Sequence, residues 1–172
     1  MLQLSGMVIN RPVLSLRIGR AIATTIAAII NPDNLKIEGF YCIDHQNRQR
    51  LIVLSQDIRD ILPQGIVVND EEVLTEPHEL VRLEKILKIN FDLMGKQVET
   101  TDKNKVGKVN DYAVDVQSMY IQKVYVSQSL LKSFTTGSLG IDRTQIVEIT
   151  DKKIVINELE QKVRAQAGAV AV

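Results

Sequence analysis

The chain has 172 residues, with 21 basic and 21 acidic side chains and one cysteine. This length allows one medium domain or two small ones. The charges also balance in each half, with 10 basic and 12 acidic side chains in residues 1–93 and 11 and 9 in the remainder, so neither half has the positive excess of non-specific nucleic-acid binders. A single cysteine excludes an intrachain disulfide, and the apolar neighbours of Cys42 predict a buried structural thiol.

Two features bear on cellular location. The N-terminal Met1-Leu2-Gln3 lacks the basic region that precedes the apolar core of a signal peptide. The most apolar run, residues 21–30, is about half as long as the roughly 20 residues that a transmembrane helix needs. We therefore expect a soluble cytoplasmic protein without a membrane span.

The first half of the chain predicts short strands separated by turns. Residues 21–30 predict a strand that ends at a turn containing Pro32 and Asn34. Residues 51–53 predict another strand, and a short helical segment over residues 57–62 follows. Ser55 is a natural N-cap for this segment, and Gly65 just past its end is a natural stop. Residues 80–83 have helical apolar spacing, but comparison with the strand-like residues 152–156 favours a strand, followed by an apolar linker through residue 92.

The second half begins with a β-hairpin over residues 93–116. A charged turn at residues 101–105 separates two apolar stretches, and the second alternates as a half-buried strand does. Gly107 within this strand predicts a kink or a close approach of another backbone. A strand over residues 121–125 and a helical segment over residues 129–134 follow. Asn157 can cap a short helix near the end, or residues 158–172 form a tail.

Internal similarity indicates a tandem repeat. Leu54-Ser55-Gln56 and Val126-Ser127-Gln128 lie 72 residues apart, and Ile18-Gly19-Arg20 matches Val106-Gly107-Lys108. A period of 72–89 residues is too long for a solenoid and fits two small domains. We predict a first domain at residues 1–84, a packed linker at residues 85–92, a second domain at residues 93–157 and a tail at residues 158–172.

The hairpin also carries a family resemblance. Gly95-Lys96-x-Val98, the charged turn, and Val106-Gly107-Lys108-Val109-x-Asp111 followed by Val114-Asp115 resemble the opening of a PRC-barrel domain, and the similarity continues to Ile156. This resemblance implies a mainly β protein made of two tandem small PRC-type β-barrels, each with one short helical turn, plus a short C-terminal helix or tail. Members of that group mostly act as binding modules.

Residues that could support catalysis or metal binding are sparse. His45 and His78 sit in separate polar loops without other ligands at metal-binding spacing. Asp111 and Asp115 lie about 13 Å apart along one strand face, too far apart to share a proton. We expect the side chains of Asp57 and Asp60 to be solvated at the surface. We therefore predict no catalytic, metal-binding or cofactor-binding residues, and a protein that is not an enzyme.

One aromatic cluster remains as a candidate interaction surface. Tyr112, Tyr120 and Tyr125 fall in one hairpin with Lys123 nearby. Exposed aromatic and basic side chains could stack single-stranded RNA, whereas packing in the core or across strands would explain the same cluster.

Three functions follow from these observations. The first is a non-enzymatic scaffold or adaptor that binds another macromolecule, a protein rather than RNA, through the tandem barrels. The second is a RimM-like ribosome maturation factor that binds a small-subunit ribosomal protein or rRNA. The first half of the chain disagrees with it, because that half lacks the glycine-rich opening of such factors. The third is a barrel that binds a small ligand, which would need a lined cavity.

Overall fold

The computed structural model describes residues 1–128 and 138–158. In this part the chain is mainly β, with fourteen strands, one α-helix and six short 3₁₀ turns. The strands of the first half are β1 (Leu2–Leu4), β2 (Pro12–Ser15), β3 (Arg20–Asn31), β4 (Lys36–Asp44), β5 (Arg50–Leu54), β6 (Ile58–Leu62), β7 (Gly65–Val68) and β8 (Leu74–Thr75). The helix α1 (Glu84–Ile89) precedes the strands of the second half, which are β9 (Gln97–Thr100), β10 (Lys105–Asp115), β11 (Tyr120–Gln128), β12 (Ser138–Asp142), β13 (Ile146–Ile149) and β14 (Lys153–Ile156). The 3₁₀ turns span Ser5–Met7, Ser55–Asp57, Glu71–Val73, Pro77–Glu79, Val81–Leu83 and Arg143–Gln145.

The same strand order occurs twice along the chain. Strands β2 to β5 pair in sequence as antiparallel neighbours, and the hairpin β6–β7 returns so that β7 lies parallel to β2. Strands β9 to β12 repeat this antiparallel series, and β14 returns parallel to β9. We call β2–β8 the first repeat and β9–β14 the second repeat. The predicted internal repeat is therefore present as a repeated topology.

Irregularities in the strands show which residues of the two repeats are equivalent. The long pair β3–β4 has a β-bulge at Ile26, and the pair β10–β11 has one at Asn110, 84 positions later. The tight turns that follow the long strands also match, because Leu35 and Met119 both adopt positive φ angles, 57° and 59°. Bulges redirect a strand and are features of the fold rather than defects, so two of them at matching positions identify equivalent residues.

The two repeats meet at a reciprocal backbone junction. The Ile37 N–H donates to the Met119 carbonyl at 2.7 Å, and the Ile121 N–H donates to the Leu35 carbonyl at 2.9 Å. Since each bond joins residues that are equivalent to those of the other bond, a pseudo-two-fold axis runs between β4 and β11. Both repeats share one hydrophobic core there, because a single cluster of buried side chains contains residues from Val8 to Val68 and from Leu93 to Ile156.

The Leu93–Val116 prediction is confirmed as the hairpin β9–β10, and residues 21–30 form β3 as expected. Gly107 does meet another backbone closely, because a Cβ atom at this position would overlap the carbonyl oxygen of Ser127. The turn over residues 31–34 also forms, with Leu35 donating to the Asn31 carbonyl.

The predicted 72-residue correspondence is wrong. The turn Ser55–Asp57 lies between β5 and β6, and its structural equivalent between β12 and β13 is Arg143–Gln145, 88 positions later. Val126 and Ser127 lie within β11 instead, so they correspond to the end of β4. The two similar tripeptides therefore match by coincidence, because one lies at a 3₁₀ turn and the other at the end of a strand.

Two element assignments also fail. Asp57 ends the 3₁₀ turn Ser55–Asp57, and residues 58–62 form β6 rather than a helical segment. A bulge between Ile58 and Asp60 places Ile58 and Ile61 on the core side with a helix-like spacing. In place of the strand predicted at residues 80–83, a 3₁₀ turn at Val81–Leu83 leads into α1, as the local apolar spacing alone indicated. The predicted helical segments at residues 129–134 and in the C-terminal tail lie outside the described residues.

Candidate interaction face

The structure brings together three of the four candidate residues. Tyr112 faces the core, opposite Val124, with 3% of its surface exposed, and burial raises the pKa of its phenol. Tyr120, Lys123 and Tyr125 all lie on β11 and face outward, since Ile121 and Val124 between them are buried and Gln122 lies at a bulge. The alternation of the strand, adjusted by a bulge, therefore separates Tyr112 from the surface cluster.

The surface cluster belongs to a larger face built by four strands. Cross-strand partners share a face of a sheet, so the strand register defines its rows. The first row contains Asp111, Tyr125 and Gly140. The middle row contains Leu4, Ala113, Lys123 and Asp142, and the third contains Leu2, Asp115 and Tyr120. We call these ten residues the second outer face. Sequence reasoning missed the β1 and β12 members, because their contacts join segments far apart in the chain.

Charged groups on the second outer face are matched by partners. The Lys123 ammonium lies 3.8 Å from the Asp142 carboxylate. The Arg143 guanidinium lies over the Tyr120 ring, 4.7 Å from its centroid. The Ser118 hydroxyl and the terminal amine of Met1 both donate to Asp115 at 2.7 Å, and these bonds lower the pKa of the carboxyl. The face therefore combines aromatic surface with charges that largely neutralise one another.

Tyr125 lies in an end row of the second outer face, next to the middle row that contains Ala113 and Lys123. Its ring passes 3.4 Å from the position that a Cβ of Gly140 would take, so the ring lies across the glycine backbone. Because glycine carries no side chain, the aromatic ring fills the space above β12 and is held in place by the strand beside it. Tyr125 remains half-buried rather than fully covered.

The equivalent face of the first repeat is apolar and covered. The strand register aligns Ile29, Gly39 and Leu54 with the row of Ala113, and Ala27, Tyr41 and Ile52 with the row of Asp111. We call these six residues the first outer face. Ile52 is fully buried where its equivalent Gly140 is exposed, and Gly39 is buried where the Lys123 side chain is 40% exposed, whereas Ile29 and its equivalent Ala113 are both buried, at 4% and 3% exposed.

The cover of the first outer face is the segment of residues 77–89. Helix α1 packs against β3, and residues 79–83 border a groove of about 550 Å³ together with Lys36, Glu38 and Leu54. Strand β8 also pairs with the outer edge of β5. Among the described strands, β12 pairs only with β11, so no counterpart of β8 lies along its outer edge. Among the described residues, the two faces therefore differ at their outer edge, where β8 extends the first repeat and no strand extends the second.

The other predicted residues lie apart from this face. His45 shares a hydrogen bond of 2.8 Å with Thr24, and His78 lies 3.1 Å from Glu76, both at exposed positions. The part of the chain that the structure describes contains no group of three side chains arranged to hold a metal ion. Cys42 is fully buried, and desolvation raises the pKa of its thiol to about 12, as expected for a structural cysteine.

Comparisons with known proteins leave the family open. No protein-family model matches the chain, and no curated protein matches its sequence. Across the described ranges, no helix combines the length and apolar character needed to cross a membrane.

Proposed function

We propose that this chain is a non-enzymatic adaptor of the tandem PRC-barrel type that binds another protein through the second outer face. The fold supports the proposal by its mainly β architecture and its repeated topology. The sequence supports it through the hairpin that resembles the opening of a PRC-barrel domain.

The contrast between the two outer faces carries the proposal. A repeated fold presents the same face twice, and the chain covers the first with its own residues 77–89 while leaving Leu2 and Leu4 of the second 46% and 48% exposed. Apolar and aromatic side chains grouped on an exposed face, with charged groups at the edge, are typical of protein interaction sites. A partner would thus bury in the second repeat what residues 77–89 bury in the first.

The composition of the face favours a protein over RNA. Tyrosine and arginine are the residues that most often dominate the energy of protein interfaces. Tyr120 and Tyr125 both lie on this face, and Arg143 lies over the Tyr120 ring. RNA binding would call for an excess of positive charge. The face instead holds three carboxylates, of Asp111, Asp115 and Asp142, against the cations of Lys123 and Arg143.

Affinity purification with matched variants tests the proposal. The tagged full chain is recovered from native lysate of the source organism, with and without nuclease, alongside Tyr125→Ala and Tyr41→Ala. Tyr41 is the equivalent residue of the first repeat and is also half-buried, so it controls for the loss of a tyrosine. We expect a discrete set of proteins that survives nuclease, and a loss of about tenfold or more with Tyr125→Ala alone.

Three outcomes would contradict or refine this function. Equal recovery by both variants would contradict a role for the second outer face. Recovery that disappears with nuclease would indicate contact through RNA and would also contradict the proposal. Small-subunit ribosomal proteins that survive nuclease and depend on Tyr125 would identify the adaptor as a ribosome-assembly factor.

A further inference from the structure

The outer edge of β12 differs from the equivalent edge of the first repeat, which already carries an added strand. Strand β8 pairs antiparallel with β5, so that Leu74 lies beside Val53 and Thr75 lies beside Ile52. β12 takes the place of β5 in the second repeat and, of the described strands, pairs only with β11. An unpaired strand edge presents N–H and C=O groups to which another chain can bond. The first repeat therefore shows how a further strand is seated on such an edge.

The main chain of β12 is also accessible to solvent. Gly140 lies in the middle of the strand and is exposed, and because glycine has no side chain, its exposed surface is main chain. The pairing of β12 with β11 is regular from Ser138 to Asp142, without a bulge. A regular and accessible strand edge is the kind that a partner strand can extend.

The two ends of the described sheet are protected in ways that β12 is not. The strand path ends at β6 and β13. A bulge interrupts the pairing of each, between Ile58 and Asp60 in β6 and between Ile146 and Glu148 in β13. Bulges and charged side chains are the usual means of blocking an edge strand. β12 contains no bulge, lysine, arginine or proline, and its one charged residue, Asp142, stands at the end of the strand.

Strand β8 indicates which side chains fit this edge. Leu74 is half-buried beside Val53 and packs against the hydrophobic core. Ile141 is the equivalent of Val53 and is 1% exposed, so an apolar side chain beside it would extend the same core. Because side chains alternate along a strand, the next residue of an added strand lies in the row of Tyr125 and Gly140.

We infer that the partner presents an extended segment that pairs antiparallel with the outer edge of β12, as β8 pairs with β5. This inference rests on the proposed function and names the class of segment that the adaptor binds. An apolar side chain of the segment lies beside Ile141, in the position that Leu74 takes beside Val53. The next side chain lies beside Gly140, where the Tyr125 ring crosses the glycine backbone.

A display selection on the intact chain tests the inference. One library contains ten-residue peptides with apolar residues at alternate positions, and the matched library carries the same number of apolar residues at helical spacing. Selection uses the wild-type chain and Leu139→Lys, which places a charge on the core side of β12 at a half-buried position and so obstructs strand addition. Val147→Lys is the matched control, because it adds the same charge to β13, whose pairing a bulge already interrupts. Circular dichroism checks that both variants are folded.

Methylation of peptide nitrogens in the best selected peptide gives a second readout, on the wild-type chain. Alternate residues of an antiparallel strand direct their N–H groups toward the same neighbour. N-methyl groups at one alternate set of positions should therefore abolish binding, measured by fluorescence polarisation, whereas N-methyl groups at the other set should preserve it. This readout decides the matter if Leu139→Lys does not fold.

We expect alternating peptides to be enriched about tenfold or more over the helical library. Leu139→Lys should abolish the enrichment, whereas Val147→Lys should leave it unchanged. Equal or greater enrichment of the helical library, enrichment that survives in folded Leu139→Lys, or equal effects of the two methylation patterns would overturn the inference. An edge already occupied by residues outside the described ranges would yield no enrichment, which would also overturn it.

Capture from lysate separates this inference from the proposed function. Capture that depends on Tyr125 and survives Leu139→Lys would retain the adaptor and reject the added strand. Capture that Tyr125→Ala leaves unchanged, together with failure of the alternating library, would reject both.

Discussion

Cys42 illustrates how burial sets chemistry at a single residue. The side chain lies on β4 within the shared core, and desolvation raises the pKa of its thiol to about 12. Because the thiolate is the reactive form, only a very small fraction is ionised at pH 8. We expect an aromatic disulfide reagent at pH 8 to leave the native protein unmodified and to react fully after unfolding in urea. Rapid reaction of the native protein would contradict a buried Cys42.

Glu71 makes stability depend on pH in the acid range. Hydrogen bonds from its own backbone N–H and from Arg17 lower the pKa of its carboxyl. A carboxyl whose pKa is lower in the folded state stabilises the fold above its unfolded pKa, about 4.3, and loses this contribution as the pH falls through the folded value. Glu71→Gln should therefore be less stable than the wild type at pH 7, and the difference should disappear as the pH falls below the lowered pKa of Glu71. Urea unfolding at several pH values measures this, and a constant difference would contradict it.

The strand β10 depends on a glycine where it approaches β11. A methyl group at Gly107 would overlap the Ser127 carbonyl oxygen, and the φ angle of Gly107 is +157°. We expect Gly107→Ala to lower the free energy of unfolding by about 2–4 kcal/mol, because the two strands must separate to admit the side chain. Gly6→Ala is the matched control, since no atom lies within 4 Å of its added Cβ. Urea titrations in which both variants behave alike would contradict the close approach.

Elements with a simple local pattern could be predicted from the sequence. The turn containing Pro32 follows the apolar run of β3, and the β9–β10 hairpin has a charged turn, so strand and turn signals agree. β6 could not be predicted, because its bulge gives Ile58 and Ile61 the spacing of a helix. The prediction of a strand at residues 80–83 was wrong. It relied on a false 72-residue correspondence in preference to the helical spacing that the segment itself shows.

The candidate face could be predicted only in part. Tyr120, Lys123 and Tyr125 are close in sequence and share a strand face, so clustering along the chain was enough to find them. Tyr112 faces the core, and only the register between β10 and β11 reveals this. Leu4 joins the face through the pairing of β1 with β10, a contact with Ala113 far along the chain that has no local signal.

At the scale of the whole molecule, the two repeats share one core and should unfold together. Ile121 is fully buried in the second repeat, next to the junction with β4. Ile121→Ala should lower the free energy of unfolding by about 2–5 kcal/mol through the cavity that it leaves. Labelling of Cys42 reports on the first repeat, and tyrosine circular dichroism reports mainly on the second, which holds three of the four tyrosines.

Both probes should show one midpoint, shifted equally by Ile121→Ala, because the core cluster is continuous across the repeats. Two midpoints, with only the tyrosine signal shifted, would indicate repeats that unfold separately and would contradict a shared core.

The central claim is that equivalent faces of the two repeats differ in availability to a partner. Site-specific photo-crosslinking tests it most directly, with p-benzoylphenylalanine replacing Tyr125 in one chain and Tyr41 in another, each irradiated in native lysate after nuclease treatment. We expect a discrete protein adduct at position 125 and none at position 41. Adducts at both positions, or at position 41 alone, would contradict it.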